Sequence, residues 1–245
     1  LSLIFLYAFT VPLMAQDDDD DDWGTHKHNY GTHNHFEIDL GMNNYLENGK
    51  NPSGEDYEVR PWGSWYIAFK TTNNTHVGGK FHLLWGADVN IYSFKFQDDA
   101  TRLTKTDDEV IFTAPDISGA HKSKLEAIYL NISAVPMLQF GRGHRHGDWG
   151  DWDYFSVGRR DGGFRIGLGA YGGYRLGGKT KYVTKIDGKD KDKDHDNFFM
   201  QNWRYGVRLQ TGFRGIDFFI NYDLNELFIE GKGPELNAFA FGVVL

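Results

Sequence analysis

The most constraining feature of this chain is a strict two-residue alternation in WRYGVRLQTGFR, residues 203–214. Trp203, Tyr205, Val207, Leu209, Thr211 and Phe213 fall on one side. Arg204, Gly206, Arg208, Gln210, Gly212 and Arg214 fall on the other. Successive side chains of an extended strand point to opposite faces, so this stretch predicts a strand with one greasy face and one cationic or bare face. A helix would need apolar residues three and four apart, a pattern almost absent from the chain.

The same division recurs. Phe36, Ile38, Leu40 and Met42 alternate with Glu37, Asp39 and Gly41. Trp65, Ile67 and Phe69 alternate with Tyr66, Ala68 and Lys70. From Val77 to Tyr92, Phe81, Leu83, Trp85, Ala87, Val89 and Ile91 oppose Lys80, His82, Gly86, Asp88, Asn90 and Tyr92. Ile128, Leu130, Ile132, Ala134 and Leu138 oppose Tyr129, Asn131, Ser133 and Gln139. Phe164, Ile166, Leu168, Ala170 and Tyr174 oppose Arg165, Gly167, Gly169, Tyr171, Gly173 and Arg175. Ile216, Phe218, Ile220 and Tyr222 oppose Asp217, Phe219, Asn221 and Asp223, and Phe239, Phe241, Val243 and Leu245 oppose Ala238, Ala240, Gly242 and Val244. About eight strands result, and a strand crossing a bilayer needs about nine to eleven residues.

A soluble sandwich would also alternate, but three details favour a membrane barrel. Charges and glycines sit mid-strand on the polar face, the apolar face continues through nearly every strand, and Trp62, Trp65, Tyr92, Trp203 and Tyr222 cluster towards strand ends. The predicted fold is all-β: an eight-stranded antiparallel up-and-down transmembrane β-barrel. Long connections at 43–60, 93–123, 177–201 and 224–235 are predicted as outer loops. The expected inner turns are 71–76, 141–162 and 214–216, the middle one too long for a simple turn. A mean hydropathy of −0.53 fits two opposed faces averaged together, and the 30 glycines give the long arginines room. With no cysteine, disulfides and thiolate chemistry are excluded, and a net charge of −8 argues against nucleic-acid binding.

Residues 1–15, LSLIFLYAFTVPLMA, predict an export signal with Ala15 at the cleavage position; the lack of an initiator Met and a basic start predicts an N-terminally incomplete signal. Residues 16–34, with the run Asp17 to Asp22, predict a solvated acidic and His-rich tail. The barrel is expected over 35–245, its end at Leu245 atypical or shortened.

FEIDLGMNNYL, KLEAIYLNISAVPMLQF, GLGAYGGYRLGGKTK and the terminal GKGPELNAFAFGVVL together resemble the outer-membrane β-barrel family of Bacteroidetes-type bacteria that includes the PorT-like proteins. The resemblance implies an eight-stranded outer-membrane barrel and an association with protein secretion, although no motif here carries that role.

An eight-stranded barrel is just wide enough for side chains to fill it. The predicted lumen charge network is Glu37, Asp39, Lys80, Asp88, Arg165, Arg175, Arg204, Arg208 and Asp217, both signs pairing across the interior. Metal candidates are His26, His28 and His33 in the tail, with His35 beside them, and His144 and His146 near Asp148 and Asp151. The Asp/Lys stretch 186–196 lacks the glycine of a calcium loop and predicts a solvated loop. Ser133 and Ser156 have no readable His and acid partners. The expected role is a non-enzymatic barrel with a filled lumen, structural or acting through its outer loops. No cofactor is expected, the partners being outer-membrane lipids and proteins met at the loops, with the chain acting as a monomer. The alternatives are an outer-membrane enzyme acting on lipid or lipopolysaccharide, with His82 or His144 at a rim, and a metal-binding surface protein.

Overall fold

The computed structural model describes residues 31–115, 119–140, 163–185, 189–194, 196–213 and 216–245. Among them the chain forms eleven strands and no helix: β1 (Thr32–Glu47), β2 (Trp65–Gly78), β3 (Phe81–Lys95), β4 (Arg102–Lys105), β5 (Val110–Thr113), β6 (Ala120–Phe140), β7 (Phe164–Lys185), β8 (Lys189–Asp194), β9 (Trp203–Phe213), β10 (Ile216–Asp223) and β11 (Leu236–Val244). The run 1–15, the aspartates 17–22 and the segment 141–162 lie outside the described residues.

Eight strands close on themselves in the order β6-β3-β2-β1-β11-β10-β9-β7, and a β6–β7 pairing completes the ring. Every pairing around it is antiparallel. First and last strands meet along Asp39↔Val244 to Glu47↔Leu236, and the Ile38 amide donates to the Leu245 carbonyl at 2.9 Å. A closed sheet has no free edge, so its ladder groups are paired within the ring. β7 is long enough to pair with β9 over Phe164–Tyr174 and with β8 over Thr180–Lys185, along one edge.

The strand boundaries depart from the sequence reading in one systematic way: strands run on into polar stretches. The expected turn at 71–76 is part of β2, and the chain reverses at Gly78 and Gly79, whose φ values of 150° and 60° suit glycine. Residues 32–34, expected in the tail, belong to β1. The physical reason is a polar hem beyond the apolar stretch. Thr32 and Thr75 hydroxyls bond at 2.9 Å, and Asn34 donates to Asn73 at 3.0 Å. Cross-strand side-chain bonds therefore extend a ladder that carries no apolar signal.

The ring has two unlike ends. One carries the close β2–β3 reversal and the β9–β10 connection, where Phe213 pairs with Ile216. At the other, the long connections interlock into a cap. Arg60 and Gln97 amides donate to Lys95 and Glu58 carbonyls, Gln201 to Leu227, Ile229 to Phe199, and Val110 of the β4–β5 hairpin to Lys232. Under this cap Tyr45, Val59, Phe94, Phe96, Leu125, Phe198, Met200, Phe228 and Leu236 form a buried core. Phe112 stands edge-on to Phe96 and Phe228, each at 5.9 Å.

The rest of the molecule is inside-out. Along β9, Arg204, Gly206, Arg208 and Gln210 are buried while Trp203, Tyr205 and Phe213 are exposed. Phe36, Leu40, Phe69, Trp85, Leu130, Ile132, Leu168, Phe218, Ile220 and Phe241 are likewise exposed. The outer surface thus carries an apolar belt drawn from all eight strands of the ring.

Candidate functional site: the charged interior

The inward positions of the alternation converge on the middle of the ring. Asp39 of β1, fully buried, receives a two-pronged grip from Arg208 of β9, at 2.7 and 3.3 Å. Arg208 also donates to Gln210 at 3.1 Å and Asn221 at 3.2 Å, and lies over the Phe219 ring at 4.8 Å. Lys70 of β2 sits between two acids, 3.5 Å from Glu37 and 3.8 Å from Asp39. Glu37 also accepts from Thr72 at 2.8 Å and contacts His35 at 3.1 Å. A bidentate arginine–carboxylate pair fixes both position and orientation.

A second cluster surrounds Arg204. Its guanidinium bonds Asp223, donates to Tyr92 at 2.7 Å and Asn90 at 3.2 Å, and lies 4.5, 4.7 and 5.0 Å from the Tyr92, Tyr129 and Tyr171 rings. Tyr171 in turn donates to Asp223. Three aromatic faces and one carboxylate replace the water that a buried guanidinium would lose.

The third pair is Arg165–Asp217, bonded at 2.7 Å, with Gln210 donating to Asp217 at 3.4 Å. A Cβ on Gly212 would collide with the Asp217 carboxylate and Arg165 Nε, so the bare backbone there makes room for the pair. Asp88 differs: it is buried and accepts from the amides of Asn90 at 2.7 Å and Asn131 at 3.3 Å.

Of the nine residues predicted as lumen charges, Glu37, Asp39, Asp88, Arg204, Arg208 and Asp217 are buried inside the ring, and Arg165 is half-buried against Asp217. Two stand elsewhere. Lys80 is exposed in the β2–β3 reversal, its ammonium 5.3 Å from the centre of the Phe140 ring, because it stands one residue before β3 begins and so beyond the enclosed part of the ring. Arg175 lies towards the cap, donating to the Met200 and Gln201 carbonyls and to Asn202 at 2.8 Å. The sequence reading left out Lys70 and Asp223, although both share the inward parity of their strands. It placed Tyr129 and Tyr171 on the polar faces without joining them to Arg204, and it grouped Tyr92 with the strand-end aromatics of an interfacial girdle, whereas Tyr92 is buried inside the ring because it takes the inward parity of β3 against Arg204.

His33 lies in β1 opposite Asn74. His26, His28, His144 and His146, like Ser156, lie outside the described residues, among which no group of three or more His, Asp or Glu could hold a metal ion. His82 contacts Asn74 at 3.2 Å and stacks on His76 at 4.8 Å. In the 186–196 stretch, Asp196 is bound by Lys105 at 2.9 Å.

No family model, curated protein or solved structure matches this chain.

Proposed function

We propose that this protein is an integral outer-membrane β-barrel, monomeric and non-enzymatic, with a lumen closed by its own side chains and a capped end that meets partners outside the membrane. The observation that carries the reading is the exposed apolar belt. A half-exposed aromatic side chain presents on the order of 100 Å². A ring of such residues from every strand therefore far exceeds the roughly 300–600 Å² of the largest apolar patch on a typical soluble monomer. In water the belt would drive aggregation; against lipid tails it costs nothing.

Dimensions support the same reading. The outward apolar positions of β9 run from Trp203 to Phe213. Ten steps of about 3.4 Å span roughly 34 Å of strand. At a tilt near 45° that is about 24 Å of thickness, against an apolar band about 25 Å tall in outer-membrane barrels. The buried charge pairs and the aromatic core under the cap argue for a filled interior, since an open pore needs a hydrated path. The resemblance to the PorT-like family adds the expectation of work beside a secretion apparatus, which the capped loops would mediate.

The test is cell fractionation combined with gel migration. The account expects the full chain in the outer-membrane fraction of a Gram-negative host, running at a different apparent mass before and after boiling. Recovery as a soluble monomer without detergent would overturn it.

A further inference from the structure

We propose that the ring wall opens sideways between β6 and β7, at Pro136, and admits an acyl chain of a surrounding lipid to the space that Met137 fills. The proposal rests on the membrane reading above and adds to it a ligand class and a point of entry.

The ladder of the ring has one interruption inside the belt. β6 and β7 pair from Phe140↔Phe164 to Met137↔Gly167 and resume at Ala134↔Ala170, so that Val135 and Pro136, facing Gly169 and Leu168, are skipped. Proline has no amide hydrogen, so β6 offers β7 no donor there. Towards β3 the strand is intact, with Leu83↔Pro136 in register. The β6–β7 register also shifts between Ile128 and Tyr129. The other seven pairings of the ring run on without a skipped position, apart from the shift of β2–β3 at its own reversal. Proline in sheets is ordinarily confined to edges and bulges, and a backbone group without its partner is costly at membrane depth. Exposed Leu168 stands opposite Leu209, in the middle of β9, so the gap lies within the belt and not at its rim.

The inner side of the same stretch is apolar or bare. Its inward positions are Val135 and Met137 on β6, both buried, and Gly167 and Gly169 on β7. Met137 Sδ lies where a Cβ on Gly167 would stand. Other seams are stitched from inside at comparable depth. Lys70 reaches Glu37 across β1–β2 at 3.5 Å, Asn131 donates to Asp88 across β3–β6 at 3.3 Å, and Arg208 donates to Asn221 across β9–β10 at 3.2 Å. The links between β6 and β7 stand at the ends of their ladder, where Lys179 bonds Glu126 at 2.8 Å and the Phe140 and Phe164 rings stack at 6.2 Å.

Outside and inside match at this one place. The skipped positions are the easiest part of a closed wall to part, because parting them breaks the fewest ladder bonds. Acyl chains lie against Leu168 and Pro136 on the outer side. On the inner side, an unbranched and flexible methionine fills the space beside two glycines. A lipid chain that takes the place of Met137 exchanges one apolar filling for another.

The test places the full chain in vesicles of phosphatidylcholine that carries a diazirine near the end of one acyl chain, and maps the photo-adducts by mass spectrometry. Outward Ile132 and Leu168 should be labelled strongly. Met137 should be labelled at about 1–10% of the Ile132 level, the share of a minor open state. Gln210 is the inward control: it is buried and pairs with Gly167, in the same row as Met137. It should stay at background. Pro136→Val restores the donor and should lower Met137 labelling about five-fold, the effect of one added backbone hydrogen bond. A disulfide between Ala134→Cys and Ala170→Cys should abolish it and reduction should restore it, which separates closure of the seam from misfolding. Met137 labelled no more than Gln210, with Ile132 and Leu168 labelled, would overturn this proposal and leave the membrane reading standing. Met137 labelling unchanged by both Pro136→Val and the disulfide would overturn it in the same way. Absence of labelling at Ile132 and Leu168 as well would overturn both.

Discussion

At the residue scale, the described interior holds its buried charges in geometries that admit few substitutes, by ion pairs or, at Asp88, by side-chain amides. Arg208 is the clearest case, since Asp39 has no exposure and depends on its two-pronged grip. Replacing Arg208 by Ala should cost about 3–5 kcal/mol, the penalty for leaving a buried charge without its partner. Urea unfolding of the detergent-solubilised protein measures this, and removing Asp39 as well should recover part of the loss. Gly212→Ala tests the opposite requirement, that of space. The new Cβ would meet Asp217 and Arg165 together, and overpacking of this kind costs about 1–3 kcal/mol. The same change at Gly231, where a Cβ meets nothing within 4 Å, is a poor control because its φ of 70° favours glycine. Gly177→Ala, where an added Cβ meets nothing within 4 Å and φ is not positive, is the better one.

At the element scale, each strand is a depth gauge. Ile132 and Leu168 are 70% and 64% exposed, Ile132 near the middle of β6 and Leu168 opposite Leu209 in the middle of β9. On a soluble protein, Arg at either position would change stability by less than about 0.5 kcal/mol. On a lipid-facing strand it should cost about 2–4 kcal/mol at mid-depth and about 0–1 near an interface. Ile132→Arg, Leu168→Arg and Asn73→Arg, compared by unfolding in lipid vesicles, should therefore fall in two groups, Asn73 in the mild one. The cap has its own electrostatics. Hydrogen bonding from Lys105, and then from the Asn197 amide, holds the Asp196 carboxyl below the usual carboxylate range. A lowered acid contributes its stabilisation above the unfolded carboxyl pKa and loses it as the pH falls through the lowered value. The protection of the Phe198–Met200 amides, their exchange relative to that of an unfolded chain at the same pH, should fall on acidification below the usual carboxylate range, and Lys105→Met should remove that pH step. All eight ring strands were legible in the alternation, because a belt on one face and charges on the other leave a period of two. The strand ends were not. Thr71 to Thr75 are polar on both faces where β2 leaves the belt, so nothing in the pattern separates strand from turn. The aromatic core under the cap was hidden for a different reason: Phe198, Met200 and Phe228 come from irregular connections, where no period exists to mark an inward side.

At the scale of the whole molecule, the charged interior and the greasy exterior are one design. A closed ring of eight strands satisfies its ladder without water, the lumen pairs its own charges, and the cap closes one end with an aromatic core. The central claim is that the outward half of every ring strand faces lipid. The chain has no cysteine, so single cysteines can be placed along β9 from 203 to 213 without background and labelled with an environment-sensitive fluorophore. In lipid vesicles the account predicts a two-residue pattern. Odd positions should be quenched by lipid-borne quenchers and shielded from aqueous ones, while even positions should resist labelling in the folded state. Aqueous quenchers reaching the odd positions, or a uniform response along the strand, would contradict it.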